Sequence, residues 1–499
     1  MAEGMFPGKA PIVSLGPLLA FCLWAFALPA AAQDGVSTLL EEYQLSAENL
    51  GFLVFDPESG AWLESHNPAE SFIPASTAKL PMAVAALEIL GPKHSFSTQL
   101  YRTGEVSGIT LHGDLYLKGG GDPYLATEDL LDLLKEMKQR GFTSVIGNFY
   151  YDVSGFPELS EIDPGQPVAA TYNPGLSALN LNFNGIHLNW KAPEAGPIAA
   201  SAVSRSDVMA VETSAVGAYP EFVPLEKGEF YRHLATDAGE RWQLSTALPR
   251  KGAERLPVKD PGRNAASALR SLAAAEGITL PEPQPAPTPS SAIWVAGHDS
   301  RPLEQMLLGI MKFSNNLGAE MLGLAAAKAV VRQAPGETLG LAESAARIGD
   351  WFAVRLPEVD WAGYRLENHS GLSSASRMTP AQMAAILSYA YRQRGTPADL
   401  LPVLPDARAA GEVDKEVNGR IEILAKSGTI NYGRALAGYI TAASGRRIGF
   451  AVFVSDIPRR ALYDERLAIH QTDDRAARNW LRRARKLERA LLKRWAAKY

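Results

Sequence analysis

Ser76 and Lys79 stand three residues apart at the head of an apolar run that continues from Met82 to Leu90. Three residues is nearly one helical turn, so the two side chains share a face and can touch. A serine hydroxyl becomes a useful nucleophile when a base takes its proton. A lysine serves as that base when burial or a neighbouring cation lowers its pKa. The unpaired N–H groups of a first helical turn also suit a developing oxyanion. S-x-x-K is common by chance, so the assignment depends on its company. Two further elements follow in order: Ser314-Asn315-Asn316, after an apolar-periodic stretch, and Lys426-Ser427-Gly428-Thr429, where a strand is expected to end. Together they supply a second serine, an amide and a second lysine.

The flanking segments must position these groups. Residues 51–56 read as a strand, 57–60 as a turn and 61–65 as the returning strand. Pro81 must either kink the serine helix or delay its start. A short amphipathic helix is expected over 36–45. Residues 97–102 and 107–118 alternate as strands and run into Gly119-Gly120-Gly121. No G-K-[ST] helix follows, so a tight turn is the reading rather than a phosphate cradle. Further on, the pattern gives a helix over 127–140, a strand over 145–152 and short strands in a Pro-, Gly-, Ser- and Asn-rich stretch. A helix over 263–277 and a Pro-rich linker or extended crossing over 281–291 come next. Helices are expected over 302–313, 318–332, 339–352 and 380–391. A strand, a hairpin and a helix over 473–498 close the chain. The expected fold class is α+β: a five-stranded antiparallel sheet of the N-terminal hairpin and three C-terminal strands, flanked by helices. This catalytic unit is discontinuous, 33–95 and 295–499. It surrounds an insertion, 96–294, with a nested β-rich module at about 163–260.

Composition bounds the function classes. A chain of 499 residues, 46% hydrophobic and 21% charged, is globular with two or three domains. A net charge of −5 argues against a nucleic-acid partner. Lys9, an apolar run over 18–28 and Ala30-Ala31-Ala32 form a secretory signal pattern over 1–32, with Gln33 as the mature start. An uncleaved anchor is the alternative, for which the run is short. The single cysteine, Cys22, lies in this segment behind Phe21, where a lipoprotein signal needs a small residue. The mature chain then has no thiol for disulfides, zinc or nucleophilic attack. Export without cysteine fits a secreted protein of a bacterial envelope, the periplasm of a Gram-negative-type cell. The eight histidines show no H-E-x-x-H and no ligand-spaced pair, so neither metal nor cofactor is expected. His369 reads as a turn histidine.

The three elements and their neighbourhoods resemble the D-alanyl-D-alanine carboxypeptidase/endopeptidase family, the class C low-molecular-weight penicillin-binding proteins. The resemblance runs from about Leu50 to Ser455. It includes Asn67-Pro68, Pro74-Ala75-Ser76-Thr77-x-Lys79-Leu80, Gly113-Asp114-Leu115-Tyr116-Leu117 and Gly119-Gly120-Gly121-Asp122-Pro123. It continues through Ser177-Ala178-Leu179-Asn180-Leu181-Asn182-Phe183-Asn184, Ser314-Asn315-Asn316-Leu317-x-Ala319-Glu320-Met321-Leu322, Ser370-Gly371-Leu372-Ser373 and Lys426-Ser427-Gly428-Thr429. It implies a penicillin-binding-protein/β-lactamase-like domain, peptidoglycan peptides as substrates and β-lactams as covalent inhibitors. Ser76 would attack the carbonyl of the penultimate D-alanine and form an acyl-enzyme, with Lys79 taking its proton. Lys426 would keep Lys79 neutral and attract the terminal carboxylate. Ser314 would relay a proton to the leaving amine, and Asn316 would hold the peptide amide through its donor and acceptor. The backbone N–H groups of Ser76 and Thr429 would form the oxyanion hole. Ser427 and Thr429, with Gly428 between them, would bind the D-alanine carboxylate. Water would then deacylate the enzyme; a peptide amine in its place would give transpeptidation. Asp152, in Asp-x-Ser-x-Phe, matches a family element that faces the site; a surface aspartate after a strand is the alternative.

There are departures from the family pattern. Ser427 replaces a threonine, Asn368-His369 an Asp-Gly, Ser374 an arginine and Asn431 a glutamine. The last positions tend to read the diaminopimelate side chain in the family. The rival readings are a β-lactamase-like hydrolase on the same scaffold and a catalytically silent wall-binding protein; the intact set of five side chains speaks against the second. The last helix holds ten Lys/Arg between Arg475 and Lys498 against Glu488, about +9, so the rest carries about −14. Its stripe of Trp480, Ala484, Leu487, Leu491 and Trp495 reads as packing on the sheet; peripheral contact with anionic lipid through this helix is the alternative.

Overall fold

The computed structural model describes residues 30–194, 196–331, 337–395, 399–407, 421–468 and 474–499. The expected signal run at 18–28 lies outside the described residues. Helix α1 (Ala30–Tyr43) leads to the hairpin of β1 (Leu50–Phe55) and β2 (Trp62–His66). Ser76 follows in a 3₁₀ turn over Ala75–Ala78, and α2 (Lys79–Leu90) begins only after it. Pro81 therefore delays the α-helix. It takes the third position, where an N–H would have no partner within the helix.

The insertion opens with β3 (Ser97–Arg102), β4 (Glu105–Ser107), β5 (Thr110–His112) and β6 (Leu115–Lys118). Helix α3 (Thr127–Gln139), β7 (Ser144–Ile146) and β8 (Phe149–Asp152) follow. The nested module holds β9 (Gly185–Lys191), β10 (Ala199–Arg205), β11 (Ala210–Glu212), β12 (Val216–Val223), β13 (Tyr231–Thr236), β14 (Gly239–Ser245) and β15 (Lys251–Pro257). Its two sheets, β11-β10-β9-β15 and β12-β14-β13, share a core of Ile186, Trp190, Trp242 and Leu256. Helix α4 (Pro261–Ala275), β16 (Pro283–Pro285) and β17 (Ile293–Asp299) return the chain. A mixed sheet ordered β16-β8-β6-β3-β17 underlies the insertion. Because β17 pairs with β3 from Ile293 to Asp299, the boundary expected at 294 falls inside the insertion's last strand. The Pro-rich stretch is an extended crossing: β16 pairs with β8 at the sheet edge, where a missing N–H is tolerated.

The catalytic unit resumes with α5 (Leu303–Phe313), α6 (Asn316–Val330), α7 (Leu341–Arg355) and α8 (Pro380–Arg392). Strands β18 (Glu422–Ile430), β19 (Gly433–Thr441) and β20 (Arg447–Ser455) are followed by α9 (Ile457–Ala468) and α10 (Asp474–Lys498). The antiparallel sheet is ordered β18-β19-β20-β1-β2, as expected. One expectation fails: β18 does not end before Lys426 but runs through Thr429, and the chain turns at Tyr432 with φ +60°. Both sheet faces are apolar. Phe52, Leu436, Phe450 and Val452 meet Leu40 of α1 and Trp480, Leu487, Leu491 and Trp495 of α10. Leu53, Ala437, Ala451 and Phe453 belong to the core that includes α2, α6 and α8. Each large side chain of the α10 stripe contributes about 1.5–3 kcal/mol by its burial. That stripe is thus occupied by the sheet, and the solvent face carries Arg478, Arg482 and Arg485. Among the described residues no helix is long and apolar enough to cross a membrane.

Candidate active site

Ser76, the expected nucleophile, follows a strained residue. Ala75, just before Ser76, has φ +44°, a left-handed conformation that costs a non-glycine residue about 1–3 kcal/mol. The loop 368–372 and β18 close over this turn. A methyl group at Gly371 (φ +71°) would lie 1.8 Å from the Ala75 carbonyl oxygen. One at Gly428 would lie 2.7 Å from the Ser76 nitrogen. Both glycines are therefore required by close backbone approach.

Lys79 is wholly buried at the start of α2. Its Nζ lies 3.2 Å from Ser76 Oγ, 2.8 Å from Asn316 Oδ1 and 2.9 Å from the Ser370 carbonyl. A neutral amine has two N–H bonds and one lone pair. Asn316 Oδ1 and Ser370 O can only accept, so the lone pair falls to the Ser76 hydroxyl. Burial, and then the Lys426 cation, push Lys79 well below a lysine's ordinary value, while Glu320 opposes them. This arrangement suits a general base.

Glu320 is the partner that motif reading missed. It lies on α6 one turn after Asn316, fully buried, and accepts from the backbone N–H of His369 and of Ser370 at 2.9 Å each. It thereby fixes the loop whose Ser370 carbonyl receives Lys79. Burial pushes its carboxyl above the usual range against those hydrogen bonds. Asn316 differs from expectation: its acceptor is already taken by Lys79, and one N–H goes to the Tyr172 carbonyl at 2.9 Å. One N–H remains for a substrate carbonyl. Ser314 caps α5 in a left-handed conformation (φ +54°) and lines the cleft beside Ser76.

The opposite wall is β18, the edge strand. The 405–407 segment covers that edge where the Ala425 N–H donates to the Pro405 carbonyl at 3.0 Å. Antiparallel parity then turns the backbone groups of Ser427 and Thr429 outward as well. The Thr429 N–H thus faces the side from which Ser76 approaches. Lys426 is buried and donates from Nζ to the Ser427 carbonyl at 2.7 Å. Thr429 Oγ1 accepts from Arg434 Nη1 at 2.8 Å, which leaves its O–H to donate. Arg434 forms a two-pronged ion pair with Glu488 of α10, 2.9 and 2.8 Å, both side chains 1% exposed. Neither residue was singled out for the site from sequence; they lie 54 residues apart.

Ser76, Ser314, Asn316 and Thr429 line one open cleft of about 1010 Å³ with Gln166 and Tyr172 of the insertion and Arg460 of α9. Ser374 and Asn431, expected near a diaminopimelate reader, are both tied to α9, and Asn431 lines the cleft of Ser76. Ser374 donates to Asp464, and Arg460 pairs with Asp464 while donating to the Asn431 carbonyl. Asp152 is not brought to the cleft wall. Its buried carboxylate accepts from Ser154 N and Oγ and from Thr288 N, tying the Pro-rich crossing to β8. Burial pushes it up, but these hydrogen bonds together hold it below the usual carboxylate range. His369 stands in a turn, as expected, and its ring is buried beneath Gly323, with Nε2 2.8 Å from Ser344 Oγ. Burial lowers its pKa to about 3.

The chain is similar to known proteins over most of its length. The model of the D-Ala-D-Ala carboxypeptidase 3 (S13) family matches residues 32–476. A D-alanyl-D-alanine carboxypeptidase from Actinomadura sp. (strain R39) is 28% identical over 456 residues, 83% of this chain and 79% of the relative. D-alanyl-D-alanine carboxypeptidase DacB of Haemophilus influenzae is 25% identical over 450 residues, 86% and 90% of the two chains. The crystal structure of penicillin binding protein 4 (dacB) from Haemophilus influenzae superposes with a TM-score of 0.67 at 22% identity, covering 84% of this chain and 93% of that one.

Proposed function

The chain belongs to the D-Ala-D-Ala carboxypeptidase 3 (S13) family and is a serine-type D-Ala-D-Ala carboxypeptidase; from that premise we propose an exported enzyme that works through an acyl-enzyme on Ser76. The observation that carries the reading is the set of contacts around Lys79 Nζ, which leaves the lone pair aimed at Ser76 Oγ. Lys79 takes the hydroxyl proton as Oγ attacks the carbonyl of the penultimate D-alanine. The N–H groups of Ser76 and Thr429 receive the oxyanion, and Lys426 with the Thr429 hydroxyl holds the terminal carboxylate. Ser314 passes the proton to the departing D-alanine nitrogen. Water then attacks the ester and releases the shortened peptide. β-Lactams would acylate the same oxygen; a structure of the Haemophilus influenzae protein carries one in complex. A D-alanyl cross-link offers the same scissile carbonyl, so endopeptidase action is part of the proposal, as is a periplasmic location.

The test is product analysis on two substrates, a soluble peptide ending in D-Ala-D-Ala and a cross-linked peptide dimer. Release of one D-alanine from the first, abolished by Ser76→Ala, supports the reading. Cleavage of the dimer adds the endopeptidase activity. Wild-type protein that leaves both intact overturns the reading.

A further inference from the structure

A second cleft, of about 1540 Å³, opens on the other side of the Ser314–Asn316 turn. Asn315 lines it, while Ser314 and Asn316 line the cleft of Ser76, so the two are separated by the turn itself. One wall is the nested module. Val203 pairs with His187, and His187 with Arg255, so Arg205, two residues beyond Val203, points to the same face as Arg255. Gly185 leaves the room this needs: a methyl group there would lie 2.8 Å from Arg255 Nε. The other wall is α5. Between them stand Tyr124 and Phe183, edge to face with centroids 5.2 Å apart, and the Arg301 guanidinium lies 4.8 Å over the Tyr124 ring.

Two features of this cleft have no explanation in packing. Arg205 and Arg255 are both exposed, and among the described residues neither has a carboxylate within ion-pair distance. Glu128 and Asp207 border the cleft, but Glu128 already accepts from Ser206, and three guanidinium groups outnumber the two carboxylates. Phe183 stays 36% exposed, although it sits in a run of three left-handed non-glycine residues, Asn182, Phe183 and Asn184, with φ of +51°, +58° and +51°. Strain of that kind persists where the surroundings over-determine it and collects at binding sites. Here buried hydrogen bonds from the Asn182 and Asn184 side chains maintain it, and the result leaves Phe183 on the wall of the cleft that the arginines line.

We propose that this cleft binds a carboxylate-bearing glycopeptide segment of peptidoglycan beyond the scissile peptide, with Arg205, Arg255 and Arg301 taking its carboxylates and Phe183 stacking on a ring or apolar face. The proposal rests on the function proposed above. Guanidinium groups pair with carboxylates in two-pronged geometry, and an aromatic face receives the weakly polar face of a sugar or an apolar side chain. Such a segment would orient the polymer so that its peptide crosses the turn toward Ser76.

The test compares wild type with Arg205→Ala/Arg255→Ala on two substrates. Acylation by benzylpenicillin and D-alanine release from a short soluble peptide stay unchanged, which also shows that the variant is folded. D-Alanine release from intact polymeric peptidoglycan falls about tenfold, through KM and most strongly at low ionic strength. Equal processing of the polymer by both proteins overturns the proposal. Co-sedimentation with insoluble peptidoglycan, in a Ser76→Ala background, reads the cleft without catalysis: the arginine variant stays in the supernatant, and its pelleting like the parent overturns the assignment. Wild type that binds the polymer through these arginines but is neither acylated nor hydrolytic would instead sink the catalytic reading and leave the cleft standing.

Discussion

Lys79 is pulled in opposite directions by two charged neighbours, and the chemistry depends on which one dominates. Burial and Lys426 favour the neutral amine; Glu320 favours the cation. The acid limb of the acylation rate by benzylpenicillin should therefore lie below the range of an ordinary lysine. Lys426→Gln should move that limb to higher pH, and Glu320→Gln should move it to lower pH. A stopped-flow pH profile checks both signs; shifts in the same direction would remove Lys79 as the titrating base. His369 gives a stability prediction. Its pKa is lowered from 6.5 to about 3, so the unfolded chain takes up a proton that the fold refuses. Its contribution is intact above about pH 6.5 and is lost as pH falls toward 3, by about 2 kcal/mol at pH 5. His369→Gln should flatten denaturant midpoints between pH 7 and 5. At this scale Ser76, Lys79, Ser314 and Asn316 were legible as candidates because their short motifs fall at helix boundaries, and Lys426 because its motif completes the set, although it lies inside β18. Asp152 was not, because an acid's direction is set by Thr288, 136 residues away.

At the scale of elements, α10 reaches the site twice: Leu481 lines the cleft, and a buried ion pair acts from behind the sheet. Glu488 holds Arg434, and Arg434 holds the Thr429 hydroxyl. Glu488→Ala should destabilise the fold by about 3–5 kcal/mol, since it strands a buried guanidinium. The double change Arg434→Met with Glu488→Leu should recover most of that stability yet raise KM for D-Ala-D-Ala peptides, with a smaller effect on kcat. Thermal melts beside steady-state kinetics separate the two; an unchanged KM would leave the pair purely structural. Gly371→Ala should abolish acylation, because its methyl group would meet the Ala75 carbonyl. The five-stranded sheet and the helices other than α9 were legible from periodicity; α9, which brings Arg460 to the cleft, was not expected. The continuation of β18 through Thr429 was not: Ser427 and Gly428 look like a strand end, and only pairing with β19 keeps them extended. The end of the insertion was likewise misjudged, because β17 is recruited by β3 about two hundred residues earlier.

Across the whole molecule, the insertion is part of the site. Tyr172 accepts from Asn316, and Gln166 and Tyr172 stand on the cleft wall, so a segment between the first two catalytic elements shapes the pocket it interrupts. Replacing residues 163–172 by a glycine-serine linker should slow acylation at Ser76 while the catalytic core keeps its melting transition; acylation at the wild-type rate would make the segment a bystander. The likeness to the Haemophilus influenzae structure spans catalytic unit and insertion together, with 84% of this chain covered. The central claim is that Ser76 is the oxygen that becomes acylated. Intact-protein and peptide mass spectrometry after benzylpenicillin treatment tests it most directly. The account predicts one penicilloyl group, mapped to the peptide containing Ser76 and absent in Ser76→Ala. An adduct on another residue, or an unmodified protein with the drug either intact or hydrolysed, would contradict it.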